Sequence, residues 1–320
     1  MSAALPLLQD PHPRTNAMYQ EYNFASVLAA SARAAWQIED VLPEGAALDF
    51  NRPFLPESLA CTAAAEGLSA EEERILNQIR GHEYLVIFGL VEEFILPFVL
   101  DHARPHLSGD DARVRALLGF ASEEAKHIDL FKRFHACFTR DFGTQCEVIG
   151  PPEAVAAEVL RHDPLAVALV ILHIEWMTQS HYVGSVRDDG DIDPLFKSLL
   201  KHHWIEEAQH AKLDTLMVEA LAEARDEASI ARALDEYLEI GMFLDAGLKT
   251  QTGLNLDAFE KATGRKLGED ERAALTEQQH QALRWTYLGS GMTHPKFVAT
   301  LAAISPAARD RIAEVAPAFC

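Results

Sequence analysis

Cysteine is scarce in this 320-residue chain: there are four, Cys61, Cys137, Cys146 and Cys320, and no C-x-x-C pair among them. That excludes a zinc ribbon and a rubredoxin-type iron site, and the four read as reduced thiols of a cytoplasmic protein. Basic residues are also few, 28 against 49 acidic ones, for a formal net charge of −21. Nucleic acid and anionic membrane surfaces repel such a field, so neither is an expected partner. No apolar run approaches the roughly 20 residues needed to cross a bilayer, and the opening MSAALPLLQDPHPR lacks a basic stretch followed by an apolar one. The chain is therefore expected to be soluble, unexported and cytoplasmic. Alternating runs of β-branched residues are missing too, which argues against a sheet. No G-x-G-x-x-G follows a strand, which argues against bound flavin or nicotinamide.

What the chain does carry is helix punctuation. With 48% hydrophobic residues it can bury one large core. Residues 1–68 are mixed, with one helix expected over 24–39 and then a stretch broken by Pro43, Pro53 and Pro56, read as an arm packed on the core. Ser69-Ala70-Glu71-Glu72 is a capping box that opens a first long helix towards Asp101, with Pro97 expected to kink it. Ser108-Gly109-Asp110-Asp111 opens a second to about Thr139. Pro151-Pro152 opens a third, interrupted at Asp163-Pro164 and continuing to about Val186, and Asp193-Pro194 opens a fourth to about Arg225. Four long helices over 69–225 with short polar connections are the sequence form of a four-helix bundle. Further helices are expected over 230–251 and 269–288, with short pieces after Pro295 and Pro306. Residues 226–320 are read as an extension of the same domain.

The second helix contains Glu123-Glu124-Ala125-Lys126-His127 and the fourth Glu206-Glu207-Ala208-Gln209-His210, one E-E-x-x-H pattern twice. Residues at i and i+3 share a helix face, so Glu124 with His127, and Glu207 with His210, can each grip one ion. A two-metal bundle also needs a carboxylate from each remaining helix. Glu175 sits inside LAVALVILHIEW and Glu92 inside YLVIFGLVEEFIL, where an uncompensated charge would cost several kcal/mol. Glu124 follows Glu92 by 32 residues, and Glu207 follows Glu175 by the same interval. The bundle thus reads as a duplicated helical hairpin with a metal half-site in each half.

Glu93 also could face inward, but the equal spacing and the match of Val91-Glu92 with Ile174-Glu175 favour Glu92. His203, four residues before Glu207 and seven before His210, points the same way; it is either a seventh ligand or a surface histidine beside His202. Glu123 and Glu206 are either acceptors for the ring N–H of a ligand histidine on the facing helix or plain exposed acids. Thr178 and Gln179 either project polar groups into the cavity or bond between helices. One E-x-x-H by itself would be an ordinary solvated face; two, each 32 residues after a buried Glu, are hard to obtain by chance. Carboxylate and imidazole donors without cysteine suit iron, or manganese, rather than zinc or copper.

These residues resemble the ferritin-like diiron carboxylate superfamily, which includes ferritins, rubrerythrins, acyl carrier protein desaturases, bacterial multicomponent monooxygenases and the radical-generating subunit of ribonucleotide reductase. Within it, HHWIEEAQH on the fourth helix and VEEFILPF around Glu92 are similar to the p-aminobenzoate N-oxygenase family, whose added histidine binds one iron. The resemblance covers about 80–215 and is one of spacing more than identity. It implies an all-α, ferritin-like four-helix bundle with an N-terminal arm and a C-terminal helical extension. It implies Glu92, Glu124, His127, Glu175, His203, Glu207 and His210 as metal ligands, with no catalytic side chain beyond them. Phe131 occupies the position where the reductase subunit would keep its radical tyrosine, so that role is not expected.

The implied activity is a diiron oxygenase: two iron ions, with manganese compatible, use dioxygen to oxidise a small organic substrate, an amine by N-oxygenation being one candidate. The electrons come from an external reductase, and a homodimer is compatible with the sequence. A ferritin-like protein that oxidises iron or scavenges peroxide without an organic substrate is the alternative. A third reading is a purely structural helical protein whose motifs coincide by accident. A large apolar pocket beside the metals would favour the enzyme.

Overall fold

The computed structural model describes residues 22–63, 65 and 67–320; the opening segment of the arm, with its expected lack of a leader, lies outside the described residues. The arm begins with α1 (Phe24–Ala34), whose first turn is capped by Asn23 accepting from the Ser26 amide at 2.9 Å. The single helix expected over 24–39 is in fact two. Ala35 turns extended (ψ 137°), and a second short helix, α2 (Ile38–Val41), starts after Gln37. The cause lies between them: Trp36 is drawn into the bundle, its indole N–H donating to the His202 carbonyl at 2.8 Å. A further turn, α3 (Glu57–Ala60), precedes the core helices.

The punctuation then operates as the residues require. In α4 (Ala70–Ala103) the Glu72 carboxylate accepts from the Ser69 amide at 2.8 Å, and the helix continues through Pro97. Asp110 accepts from the Arg113 amide to open α5 (Asp111–Phe142), which Gly143 closes in the left-handed region at φ +78°. The third stretch is divided at Asp163 into α6 (Pro152–Leu160) and α7 (Pro164–His181), and α7 continues as a π-helical turn to Val186. Asp193 caps α8 (Pro194–Glu223), accepting from the Phe196 amide at 2.6 Å. Packing is most extensive between α4 and α5 and between α7 and α8, so the bundle is two antiparallel hairpins joined by a crossover through α6. That is the ferritin-like form of the four-helix bundle.

The extension starts with α9 (Glu227–Thr263), longer than the expected 230–251. Its polar run does not end it, because those side chains find internal partners: Thr252 donates to the Leu248 carbonyl, Gln251 to Asn255, and Asn255 to Glu83 on α4. There follow α10 (Glu269–Arg284), a π-helical turn over Trp285–Gly289, α11 (Ser290–Met292), α12 (Pro295–Ile304) and α13 (Pro306–Val315). α9 packs along α4 and α7, and its apolar side chains join the core of the bundle. Among the described residues there is no strand, and no helix is long and apolar enough to cross a membrane.

Candidate metal centre

All seven expected donors converge in the bundle core. Each of the four long helices delivers its share: Glu92 from α4, Glu124 and His127 from α5, Glu175 from α7, and His203, Glu207 and His210 from α8, every one of them at most 3% exposed. Two overlapping sets form, Glu92 with His127, His203 and Glu207, and Glu124 with His127, Glu207 and His210; in each, one donor atom per residue lies within 4.8 Å of the others. His203 faces inward, its Nε2 3.0 Å from Glu92 Oε1 and 2.6 Å from Glu207 Oε1. On the other side His210 Nδ1 lies 2.7 Å from Glu207 Oε2 and 2.9 Å from Glu124 Oε1. Glu207 therefore presents one oxygen to each set. Glu175 stands against Glu207 but belongs to neither set of four. Glu93 turns away to pair with Lys132 at 3.1 Å, which leaves Glu92 as the inward acid of α4.

The outer ring nitrogens are held by the acids that precede the donors. His127 Nε2 donates to Glu206 at 2.8 Å and His210 Nε2 to Glu123 at 2.8 Å, each across to the facing helix. The remaining nitrogen of each ring thereby points at the carboxylates. The arm supports this layer: the Ser31 hydroxyl donates to Glu123, and Lys126 bridges Glu206 at 2.5 Å and the Trp36 carbonyl at 3.1 Å. Trp36 stacks on the His127 ring and Phe120 on the His210 ring, with centroids 5.8 Å and 4.0 Å apart. Phe88 and Phe131 stand edge-on to His203. Thr178 bonds back to the Ile174 carbonyl within its own helix, neither of the roles expected for it, whereas Gln179 reaches the Trp204 carbonyl across helices, the bridging one.

The electrostatics ask for cations. Burial, then the neighbouring Glu124 and Glu207, push the Glu92 carboxyl well above its usual range, and burial with Glu207 does the same to Glu175. Burial opposes charge on the histidines, but Glu206 and Glu207 outweigh it and push His127 up to about 9; Glu207, Glu123 and Glu124 hold His210 well above its usual value. Five inward atoms, Glu92 Oε2, both oxygens of Glu124, His127 Nδ1 and Glu175 Oε2, have no hydrogen-bond partner although they lie among potential ones. His127 Nδ1 is 3.0 Å from Glu207 Oε1 yet misaligned for a hydrogen bond. Close, buried, unaligned oxygen and nitrogen lone pairs fit a pair of divalent cations, since buried polar atoms are otherwise almost always satisfied.

One buried acid was not among the expected donors. Asp214 is fully buried on α8 with both carboxyl oxygens unpartnered, and burial and the nearby Glu124 and Glu207 push it well above the carboxylate range. Its signal was register: positions 203, 207, 210 and 214 fall within about 60° of one another around a helix.

Beside the centre, α4, α7, α9 and the 149–155 segment enclose a cavity of about 180 Å³ with almost wholly apolar walls. Val91 and Ile174, each one residue before a donor, belong to its lining, as does Phe88.

No protein-family model matches the chain, and no curated protein does. Among solved structures, a mutant R2-like ligand-binding oxidase with an anaerobically reconstituted Mn/Fe cofactor is 16% identical, with a TM-score of 0.44 over 82% of this chain and 92% of that one. Another mutant R2-like ligand-binding oxidase, with a non-activated Mn/Mn cofactor, is 14% identical, with a TM-score of 0.43 over 83% and 92%. Both likenesses are low-identity ones, and the reading of the centre rests on its own side chains.

Proposed function

We propose that this chain holds two redox-active divalent metal ions, iron first and manganese as the alternative, and uses them with dioxygen to oxidise a small organic molecule. The observation that carries the reading is the unsatisfied donor cluster with an apolar cavity beside it. Glu92, His127, His203 and Glu207 would hold one ion; Glu124, Glu175, Glu207 and His210 would hold the other, with Glu207 serving both. Such a pair of ions, when bound, passes electrons to dioxygen and supplies an oxidant strong enough for unactivated bonds.

The chain's own part is positioning and exclusion. Glu123 and Glu206 fix which nitrogen of each histidine faces inward, and Trp36, Phe88, Phe120 and Phe131 keep bulk water from the donors. Incorporation of one oxygen atom balances as substrate plus dioxygen plus two electrons and two protons giving oxygenated product and water, with an external reductase as electron donor. N-oxygenation of an amine is the finer form of this reading; inward-facing His203 supports it through the resemblance to the N-oxygenases.

The test is metal content followed by turnover. Protein purified after growth in iron-rich medium should carry about two ions per chain, and its reduced form should consume dioxygen with an added organic substrate. Glu207→Ala should lose both ions. Metal content far below one ion per chain would sink the reading. Dioxygen consumption driven only by added ferrous iron, with no organic substrate oxidised, would favour the storage or scavenging alternative.

A further inference from the structure

The cavity beside the centre has walls that say what it can hold. No Asp, Glu, Lys, Arg or His belongs to its lining, which is built from side chains such as Ile87, Leu90, Met177 and Leu248. The one hydroxyl there, on Tyr287, is already committed, donating to Glu83 at 2.9 Å. A carboxylate or ammonium placed inside would lose its water and find no partner, so charged occupants are selected against. Size sets the second limit. Cavities of about 150 Å³ walled by leucine, isoleucine and phenylalanine stay dry and take up benzene. At about 180 Å³ this one has room for a ring and a small substituent.

Position gives the third clue. Phe88 lines the cavity and also stands edge-on to His203, with centroids 5.3 Å apart, so one ring separates the cavity from the donors. Phe243, also in the lining, is 38% exposed, so the cavity reaches the surface at that side chain.

We propose that this cavity is a binding site for an uncharged, hydrocarbon-like molecule with the bulk of one substituted aromatic ring, held against Phe88 on the far side from His203. Calling the occupant the substrate rests on the dimetal oxidase reading; its binding does not. A neutral arylamine meets the limits, whereas a ring bearing a carboxylate does not.

The experiment uses the full chain with toluene, benzoate and benzylammonium as probes of one ring size and three charges. Binding is followed by ligand-observed NMR, with metal content measured on the same sample. Toluene should bind at one site per chain, and both charged probes at least tenfold more weakly. Leu248→Trp on α9 and Val155→Phe on α6 fill the space and should each weaken toluene at least tenfold while the circular dichroism spectrum is kept. With Mn(II) bound at the donors, the toluene protons should relax faster in the wild-type chain, which reports their closeness to the centre. Equal binding of benzoate and toluene, or toluene binding unchanged in a folded filled variant, overturns the proposal. Absent toluene binding in protein that carries two ions overturns it while leaving the oxidase reading intact. Toluene binding in protein that takes up no metal upholds the site and sinks that reading instead.

Discussion

At the residue scale the proposed ligand sets differ in nitrogen, although His127 lies within reach of both clusters. On the proposed assignment Glu92, His127, His203 and Glu207 hold one ion, and Glu124, Glu175, Glu207 and His210 the other. An ion with the extra neutral donor carries less negative ligand charge, which changes how it shares electrons with dioxygen. His203→Ala should therefore keep the fold and most of the metal, since six donors remain, while oxygen transfer to substrate is lost or redirected; full activity in that variant would remove the N-oxygenase analogy. The convergence of the seven side chains was legible because a repeated E-x-x-H, each at the same distance behind a Glu inside an apolar helix, puts all of them on inward faces of the bundle. Asp214 was not, because an Asp one turn beyond a histidine matches no motif and only its register places it. Asp214→Leu should stabilise chelator-treated protein by something on the order of 1–3 kcal/mol, the cost of an unsatisfied buried polar group, as read from denaturant melts. Loss of an ion in the same variant would instead make Asp214 a donor.

At the element scale the starts of the long helices were legible, and so was the break at Asp163-Pro164, whereas the break after Ala34 and the far end of α9 were not. Ser69, Asp110 and Asp193 cap as their sequences say, because a side-chain oxygen at that position satisfies an amide that nothing else can. The break after Ala34 has no such local mark. It follows from where the Trp36 ring goes, a tertiary fact, and the persistence of α9 past Gln251 follows from partners on α4. The arm is thus more than a wrapping: Ser31, Trp36 and the Trp36 carbonyl all touch the layer behind the donors. Trp36→Ala should cost about 3–5 kcal/mol in an unfolding titration, the usual range for deleting a buried Trp side chain. The same change opens the His127 side to water, so uncoupled dioxygen consumption should rise relative to product.

For the whole molecule, the proposed site sets protons and metal ions in competition for one cluster. A carboxyl raised above its unfolded value, as in Glu92, Glu175 and Asp214, contributes stability below the ordinary carboxylate range and loses it as pH rises through its folded value. Raised histidines act likewise: His127 and His210 contribute below their unfolded value near 6.5, and the His127 share is lost as pH climbs to about 9. Glu207 and His203, both lowered, oppose this trend only on the acid side. Chelator-treated protein should therefore melt at progressively lower temperature between pH 6.5 and 9. Metal-loaded protein should show a much flatter profile, because the ion and not a proton then compensates the carboxylates. Scanning calorimetry across that window, with and without chelator, checks both.

The two-hairpin construction also has a consequence for timing. One hairpin contributes Glu92, Glu124 and His127, and the other Glu175, His203, Glu207 and His210, so each set of donors is completed only across the seam between them. Ions held there, as proposed, would leave when the halves part, and a chelator would then capture only what that opening releases. Above a modest concentration, the rate of ion loss should become independent of how much chelator is present and should equal the opening rate of the seam. Hydrogen exchange of amides on the inner faces of α5 and α8, measured under the same conditions, gives that opening rate by a separate route.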